Sequence, residues 1–426
     1  MTRRSLLRVG LTGCLVAPWW HALRAFAARP TEPLTASGVT DTEITLGTSA
    51  AFSGPSRGLG IELYRGAGAY FTHVNQQGGI AGRTVQVKAY DDGYQPGPSV
   101  KNTMKLMLDD QVFLLFGYVG TPTVTRVLPI LKKFQDRNIL LFFPFTGAQP
   151  QREPPYGTFA FNLRASYRQE TAGLVDNFVR INRRRIAVFY QADAYGRSGW
   201  AGVRSALKKH GERIVGEATY RRGERFTGTM RKQVEILKEA KPEAVICIGA
   251  YAACAAFARD AVDLGLQVPF ANLSFVGSEN LLKLLTEGRD DSQRYTQWLV
   301  NSQVVPSYED TSIPAVQEYR SLMTRYAPQP PAELLKDPYT PFDYSFVSLE
   351  GFLNAKLLVE ILHRLGAEPQ RNQLEDVVFS VADFDLGIGE QVSFGPDRRQ
   401  GLQRVYYTVV EEGRFVPLND WRARFA

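Results

Sequence analysis

Residues 112–131 read VFLLFGYVGTPTVTRVLPIL. An apolar run from Val112 to Phe116 breaks at Gly117, passes Gly120-Thr121-Pro122, and resumes as a periodic segment. That pattern predicts a buried strand, a tight turn and a helix. Proline suits the first helical position, because the N–H it lacks would have no partner there. Pro122 is therefore expected to open the helix, with Thr121 before it as the N-cap. The free N–H groups of a helix start make a ready anion site.

Outward from this unit the pattern repeats. Strands are expected over 43–49, 84–90 and 138–143, and helices over 60–77 and 98–110. After residue 166 it restarts, with helices over 167–181, 195–211, 225–240 and 251–265. Strands over 185–190, 213–220 and 243–249 lie between those helices. Strands separated by helices imply parallel β-α-β units with right-handed crossovers. Two such series imply an α/β chain of two doubly wound, Rossmann-like lobes. Near residue 300 the segment WLVNSQVVP reads as a strand crossing to another region; a long helix over 343–366 and a last strand over 403–410 follow.

Composition bounds the rest. The chain has 426 residues, 44% hydrophobic and 22% charged, which is globular rather than disordered. Its net charge is +7, but Arg3, Arg4, Arg8 and Arg24 lie in an acid-free N-terminus. Without those four, 46 basic residues face 43 acidic ones, a net of +3. So even a balance gives no electrostatic reason to propose nucleic acid. The N-terminus itself reads as a secretory signal over 1–27: a basic start, an apolar stretch from Val9 to Trp20, and small residues at Ala25 and Ala27. TRRSLLR is similar to the twin-arginine export motif, and LTGC ending at Cys14 is similar to a lipobox. Only five residues separate Arg8 from Cys14, shorter than the roughly 7–15 of an apolar region, so cleavage after Ala27 is expected over lipidation. Cys247, in an apolar strand, and Cys254, in the next helix, are expected as two buried thiols.

Catalytic motifs are sparse. GPSRG at 54–58 matches the G-x-S-x-G hydrolase elbow with Ser56 as nucleophile. The histidines after the signal, His73, His210 and His363, lie in helical patterns with no motif around them. No phosphate loop occurs, the dinucleotide fingerprint is incomplete, and no zinc spacing is present. No cofactor or metal is expected. What remains is a set of polar loops at strand C-terminal ends, where open α/β sheets bind ligands. Ser53, Thr121 and Thr146 place hydroxyls there beside glycines such as Gly120, whose lack of a side chain lets a ligand approach backbone N–H groups. The second lobe offers Tyr195, Tyr251 and Ser274 in corresponding loops.

The segments ITLGTSAAFSGPSRGLG, VNQQGGIAGRTVQVKAYDDGYQPGPSVKN, GYVGTPTVTRVLPIL, FPFTGA and RRIAVFYQADAYGRSG together resemble the leucine/isoleucine/valine-binding type of periplasmic receptor. The resemblance extends over residues 42–410, with the segments in the family's order. It implies a type I periplasmic binding protein fold with three hinge crossovers, near Asn162–Leu163, Gln303–Val304 and Phe394–Arg398. Lobe 1 is then expected from 42–162 and 304–394, and lobe 2 from 163–303 and 395–426. The resemblance implies a non-enzymatic, monomeric receptor that gives a small-molecule ligand to the permease of an ABC importer and is peripheral to the membrane through it. The ligand carboxylate would meet Thr121 and Thr146, Tyr195 would close the second lobe over it, and Tyr251 would line that lobe. Leu59 falls where the family shapes the side-chain pocket, and Phe145 would join the rim. Amino-acid-binding members place a carboxylate for the ligand's ammonium where this chain has Ser274. The nearby acids are Glu279 and Asp193, the latter suited to capping helix 195–211. The expected ligand therefore keeps a carboxylate or similar acceptor and lacks a free α-amino group, as an aromatic or short organic acid would, with an amide as the alternative. A ligand sensor of the same fold and a serine hydrolase built on Ser56 are the two rival readings.

Overall fold

The computed structural model describes residues 37–425. The expected signal over 1–27, with its cleavage site and Cys14, lies outside the described residues. The first lobe is built on β1 (Glu43–Ala50), β2 (Thr84–Asp91), β3 (Leu114–Phe116), β4 (Leu141–Phe142) and β5 (Ala160–Phe161), all parallel, in the order β2-β1-β3-β4-β5. Helices α1 (Arg57–Gln76), α2 (Pro96–Leu108) and α3 (Thr121–Lys133) make the crossovers. Leu114, Leu115 and Phe116 are all buried, as strands covered on both faces require. Burial of each such side chain contributes about 1.5–3 kcal/mol.

The second lobe repeats the plan. It holds α4 (Tyr167–Arg180), β6 (Ile186–Gln191), α5 (Ala194–Lys209), β7 (Glu217–Tyr220), α6 (Arg231–Glu239), β8 (Ala244–Ile248), α7 (Tyr251–Asp263), β9 (Phe270–Asn272), α8 (Ser278–Thr286), α9 (Ser292–Thr296) and β10 (Leu299–Gln303). The chain then returns to the first lobe. There α10 (Pro314–Tyr326) and α11 (Phe346–Leu365) pack on α1, and α12 (Leu374–Phe379) and the small pair β11 (Phe384–Asp385) and β12 (Gln391–Val392) follow. Its last pass adds β13 (Tyr406–Glu411) and β14 (Arg414–Pro417) antiparallel to the second sheet, ordered β14-β13-β10-β9-β8-β6-β7, and ends in α13 (Trp421–Phe425).

This is the type I periplasmic binding protein fold, with three passes between lobes. Two of the crossing segments pair: Asn162 N–H donates to Arg399 (2.9 Å), Gly401 N–H to Asn162 (2.9 Å) and Leu402 N–H to Leu163 (2.8 Å). The contact of α1 with α11 rests on two glycines. A Cβ on Gly66 would collide with the Ser348 carbonyl, and one on Gly351 with the Leu63 carbonyl, so the two backbones approach at both points.

Several expected bounds shift. The segment 225–230 is a turn rather than helix, because Asp260 holds it through Met230 N–H (2.6 Å) and the Thr229 hydroxyl (3.1 Å). Regular structure does not end with the strand expected over 403–410: β14 and α13 follow, and Trp421 packs against Phe178 and Tyr407, both at 5.2 Å between ring centres. Helix α10 carries apolar periodicity that the sequence reading left without an element; Ala315, Val316, Tyr319, Leu322 and Met323 are its buried face. Cys247 and Cys254 are free, buried thiols, as expected, and burial raises both well above the ordinary thiol range.

Candidate functional site

The strand–turn–helix at 112–131 forms one wall of the cleft between the lobes. Gly120, not Thr121, occupies the N-cap, at φ 101°. The turn needs that left-handed backbone, which a threonine adopts only under strain. Thr121 is thereby the first residue of α3, and its hydroxyl is free to leave the helix. It meets the Thr146 hydroxyl at 2.6 Å, and both residues are buried. The Ala148 N–H also donates to the Thr146 Oγ1, at 3.3 Å. The two loops are tied at their base, where Phe145 N–H donates to Tyr118 (2.7 Å) and Gly120 N–H to Phe145 (3.1 Å). A paired hydroxyl set therefore stands at the positive end of a helix.

Aromatic rings continue from this wall. Tyr167 opens α4 behind a Ser166–Gln169 capping box. Its phenol faces Thr121 and Thr146 yet makes no hydrogen bond of good geometry, and burial raises its pKa. Its ring lies 5.1 Å from that of Tyr195, whose hydroxyl is likewise buried and unpartnered. Phe275 stands at the centre, 4.7 Å from Tyr195, 5.4 Å from Phe145 and 5.7 Å from Tyr94. It is a second-lobe residue against two first-lobe rings, so the lobes are closed on each other.

Arg164, on the first hinge segment, lies beneath these rings, its guanidinium 4.6 Å from the Phe145 ring centre. One nitrogen donates to the Ser274 hydroxyl. Glu170 lies 3.8 Å and Glu350 3.6 Å from the guanidinium. Burial alone would lower the arginine's pKa; Glu350 and Glu170 outweigh it and hold it above the ordinary value. Burial pushes Glu350 up to about 7, against the pull of Arg164. Glu170 is fully committed to its own lobe, accepting from Ser274 N–H (2.8 Å), the Ser274 hydroxyl (3.1 Å) and the Ser302 hydroxyl (2.6 Å). The Nε and Nη1 groups of Arg164 remain without hydrogen-bond partners.

The structure thus gathers Thr121, Phe145, Thr146, Tyr195 and Ser274 in one place. Leu59 and Tyr251 lie at a second point of lobe contact. Gly58 N–H donates to the Tyr251 hydroxyl (3.1 Å), and Leu59 packs against Gly277. Ser53 is placed apart from the cluster: its hydroxyl donates to Asp91 at 2.5 Å, and its loop is held by the same carboxylate. Asp193 caps α5 through Tyr195 N–H (2.9 Å) and pairs with Arg222 (2.9 Å). Glu279 accepts from Phe346 N–H (3.1 Å) at the start of α11. Ser56 has no histidine beside it: the His73 ring meets Tyr326 (3.5 Å) and His210 pairs with Asp176 (2.6 Å). Among the described residues no acid, histidine and cysteine cluster could hold a metal, and no helix is long and apolar enough to cross a membrane.

Sequence reasoning missed Arg164, Tyr167 and Phe275. The signal for Arg164 was a charge inside the otherwise uncharged run AFNLRASY, where burial without a partner would be costly.

Two doubly wound lobes hinged by three crossings, with donors converging in the cleft, define a two-lobed small-molecule receptor. The comparisons carry this further. The periplasmic binding protein family matches residues 43–414, and the chain belongs to that family. It is 25% identical over 227 residues to a Leu/Ile/Val-binding protein homolog of Brucella melitensis, covering 53% of this chain and 59% of that protein. It is 23% identical over 248 residues to the Leu/Ile/Val-binding protein of Escherichia coli K12, covering 58% and 66%. The chain thus spans about two thirds or less of these two relatives. In structure it is similar to "a possible leucine/isoleucine/valine-binding protein" from Rhodopirellula baltica, with TM-score 0.79 and 29% identity over 93% of this chain and 100% of that one.

Proposed function

We propose that this protein is an exported receptor that binds a small carboxylate ligand lacking an α-amino group and delivers it to the permease of an ABC importer. The observation that carries the reading is the Thr121–Thr146 hydroxyl pair at the start of α3, buried beside a guanidinium that Glu170 and Glu350 already face. Charge-assisted hydrogen bonds from hydroxyls and helix N–H groups suit a carboxylate. An ammonium would have to share the cleft with Arg164, while Asp193 and Glu170 are occupied by other partners and Glu279 lies against the start of α11. A buried ammonium without an anionic partner is costly, and one beside a guanidinium more so. Phe145, Tyr195 and Phe275 supply the apolar walls for the rest of the ligand.

Calorimetric titration of ligand-free protein with leucine, valine and phenylalanine and with their deaminated acids tests this. The acids are expected to bind and the amino acids to bind far more weakly; the reverse order refutes the reading. Thr121→Val keeps the shape and removes the hydroxyl. It is expected to cost about 1.5–3 kcal/mol, roughly 10- to 150-fold in affinity. Export by the proposed signal is checked by N-terminal sequencing, which should begin at Ala28.

A further inference from the structure

Arg164 raises a question that a lone carboxylate does not answer. Its charge is already balanced, with Glu170 at 3.8 Å and Glu350 at 3.6 Å, but its hydrogen bonding is not. Nη1 has no partner, and neither does the hydroxyl of Tyr195; Nε faces Glu350 at 3.6 Å without a hydrogen bond, and the Tyr167 phenol faces Thr121 and Thr146. All three side chains are buried. Buried donors in folded proteins are nearly always paired, and each one left unpaired costs free energy. The Thr121–Thr146 pair with the α3 start already provides donors for the carboxylate, which has about four lone-pair sites. The surplus of donors calls for a further acceptor. Two glutamates beside the guanidinium disfavour a second anion, so that acceptor is a neutral oxygen. Its place follows from chain neighbours: Arg164 stacks on Phe145, which directly precedes Thr146, so the acceptor lies next to the carboxylate.

We infer that the ligand is an α-oxo or α-hydroxy acid whose α-oxygen is held by Arg164 and Tyr195, making Arg164 the specificity-determining residue of the cleft. This rests on the carboxylate reading above and adds the chemistry of the neighbouring carbon. The presented donors reverse the polarity that an α-ammonium would need.

The test uses matched probes on two carbon skeletons: α-ketoisocaproate, α-hydroxyisocaproate, isocaproate and leucine, then phenylpyruvate, phenyllactate, phenylpropanoate and phenylalanine. Each is titrated calorimetrically into ligand-free protein. On at least one skeleton the oxo or hydroxy acid is expected to bind about tenfold or more tighter than the unsubstituted acid, the effect of a hydrogen bond to a charged group. In Arg164→Met the ratio between the affinities of the oxygenated and unsubstituted acids should fall to about one, whatever the change in absolute affinity. Arg164→Lys keeps the charge with fewer donors and should lose most of the advantage, so the test survives if the methionine variant fails to fold. Equal binding of unsubstituted and oxygenated acids to the native protein overturns this inference and leaves the carboxylate reading standing. An advantage that persists in either Arg164 variant overturns it as well. Tightest binding of the amino acids, or no binding of any acid, overturns both.

Discussion

Both sheets carry the same run of parallel strands, β2-β1-β3-β4-β5 in the first lobe and β7-β6-β8-β9-β10 in the second, yet their cleft edges differ in chemistry. The first lobe contributes hydroxyls at a helix start, in loops locked to each other by backbone hydrogen bonds. The second contributes rings, Tyr195 and Phe275, and a serine whose hydroxyl and N–H are both held by Glu170. One edge presents hydroxyls and helix N–H groups, and the other presents aromatic rings and a serine held by a carboxylate. Arg164 belongs to neither edge. It lies on the segment between them, touching Ser274 and Glu170 of the second lobe and facing Glu350 of the first. A shared fold thus leaves ligand chemistry to loop residues, while the hinge supplies the charge.

The largest effect expected from breaking this arrangement is at that hinge. Arg164→Met leaves Glu170 and Glu350 buried together with only Arg152 still acting on them, and removing one partner of a buried ion pair destabilises by about 3–5 kcal/mol. Urea denaturation at pH 8 should show that loss. The deficit should shrink at pH 6, because Glu350, already pushed up to about 7 by burial, takes up a proton and removes the repulsion.

Next in size is the second link between the lobes. Glu279 of α8 accepts from Phe346 N–H at the start of α11, and burial pushes its carboxyl up to about 7. A folded-state pKa above the unfolded value means that the native state binds the proton more tightly. The stabilisation is complete below about pH 4.5 and is lost as pH rises through about 7. The thermal midpoint should therefore fall between about pH 5 and pH 7 and level off above, and Glu279→Gln should flatten that fall. A slope unchanged in the variant would show that Glu279 is not a source of it.

Smaller effects separate the two edges. Tyr251→Phe removes the bond from Gly58 N–H that joins the closed lobes, and should weaken ligand binding by about 0.5–1.5 kcal/mol, roughly 2- to 12-fold. Ser53→Ala should leave ligand affinity unchanged in titration. Its hydroxyl serves Asp91, which keeps the N–H groups of Phe52 and Gly93, both at 2.9 Å.

These expectations also mark what could be read from the sequence. Strand and helix periodicity placed the loops, and the glycine-threonine-proline turn located the hydroxyl at Thr121, because such signals are local. The cap assignment erred by one residue, since only glycine tolerates φ 101° at that point. Ser53 looked equivalent to Thr121, being a hydroxyl in a glycine-rich loop, but its partner Asp91 arrives from the neighbouring strand. Arg164 stood out as a charge in an uncharged run, but its role was hidden for the same reason on a larger scale. Glu170 is six residues away, but the partners Ser274 and Glu350 come from two distant segments, and no spacing in the sequence announces a contact made only by folding.

The central claim is that this receptor takes an acid without an α-amino group. The most direct measurement is mass spectrometry of the small molecule released by denaturing protein purified from its native cells. The account predicts a carboxylic acid that does not react with amine-specific reagents. Recovery of a stoichiometric α-amino acid would contradict it.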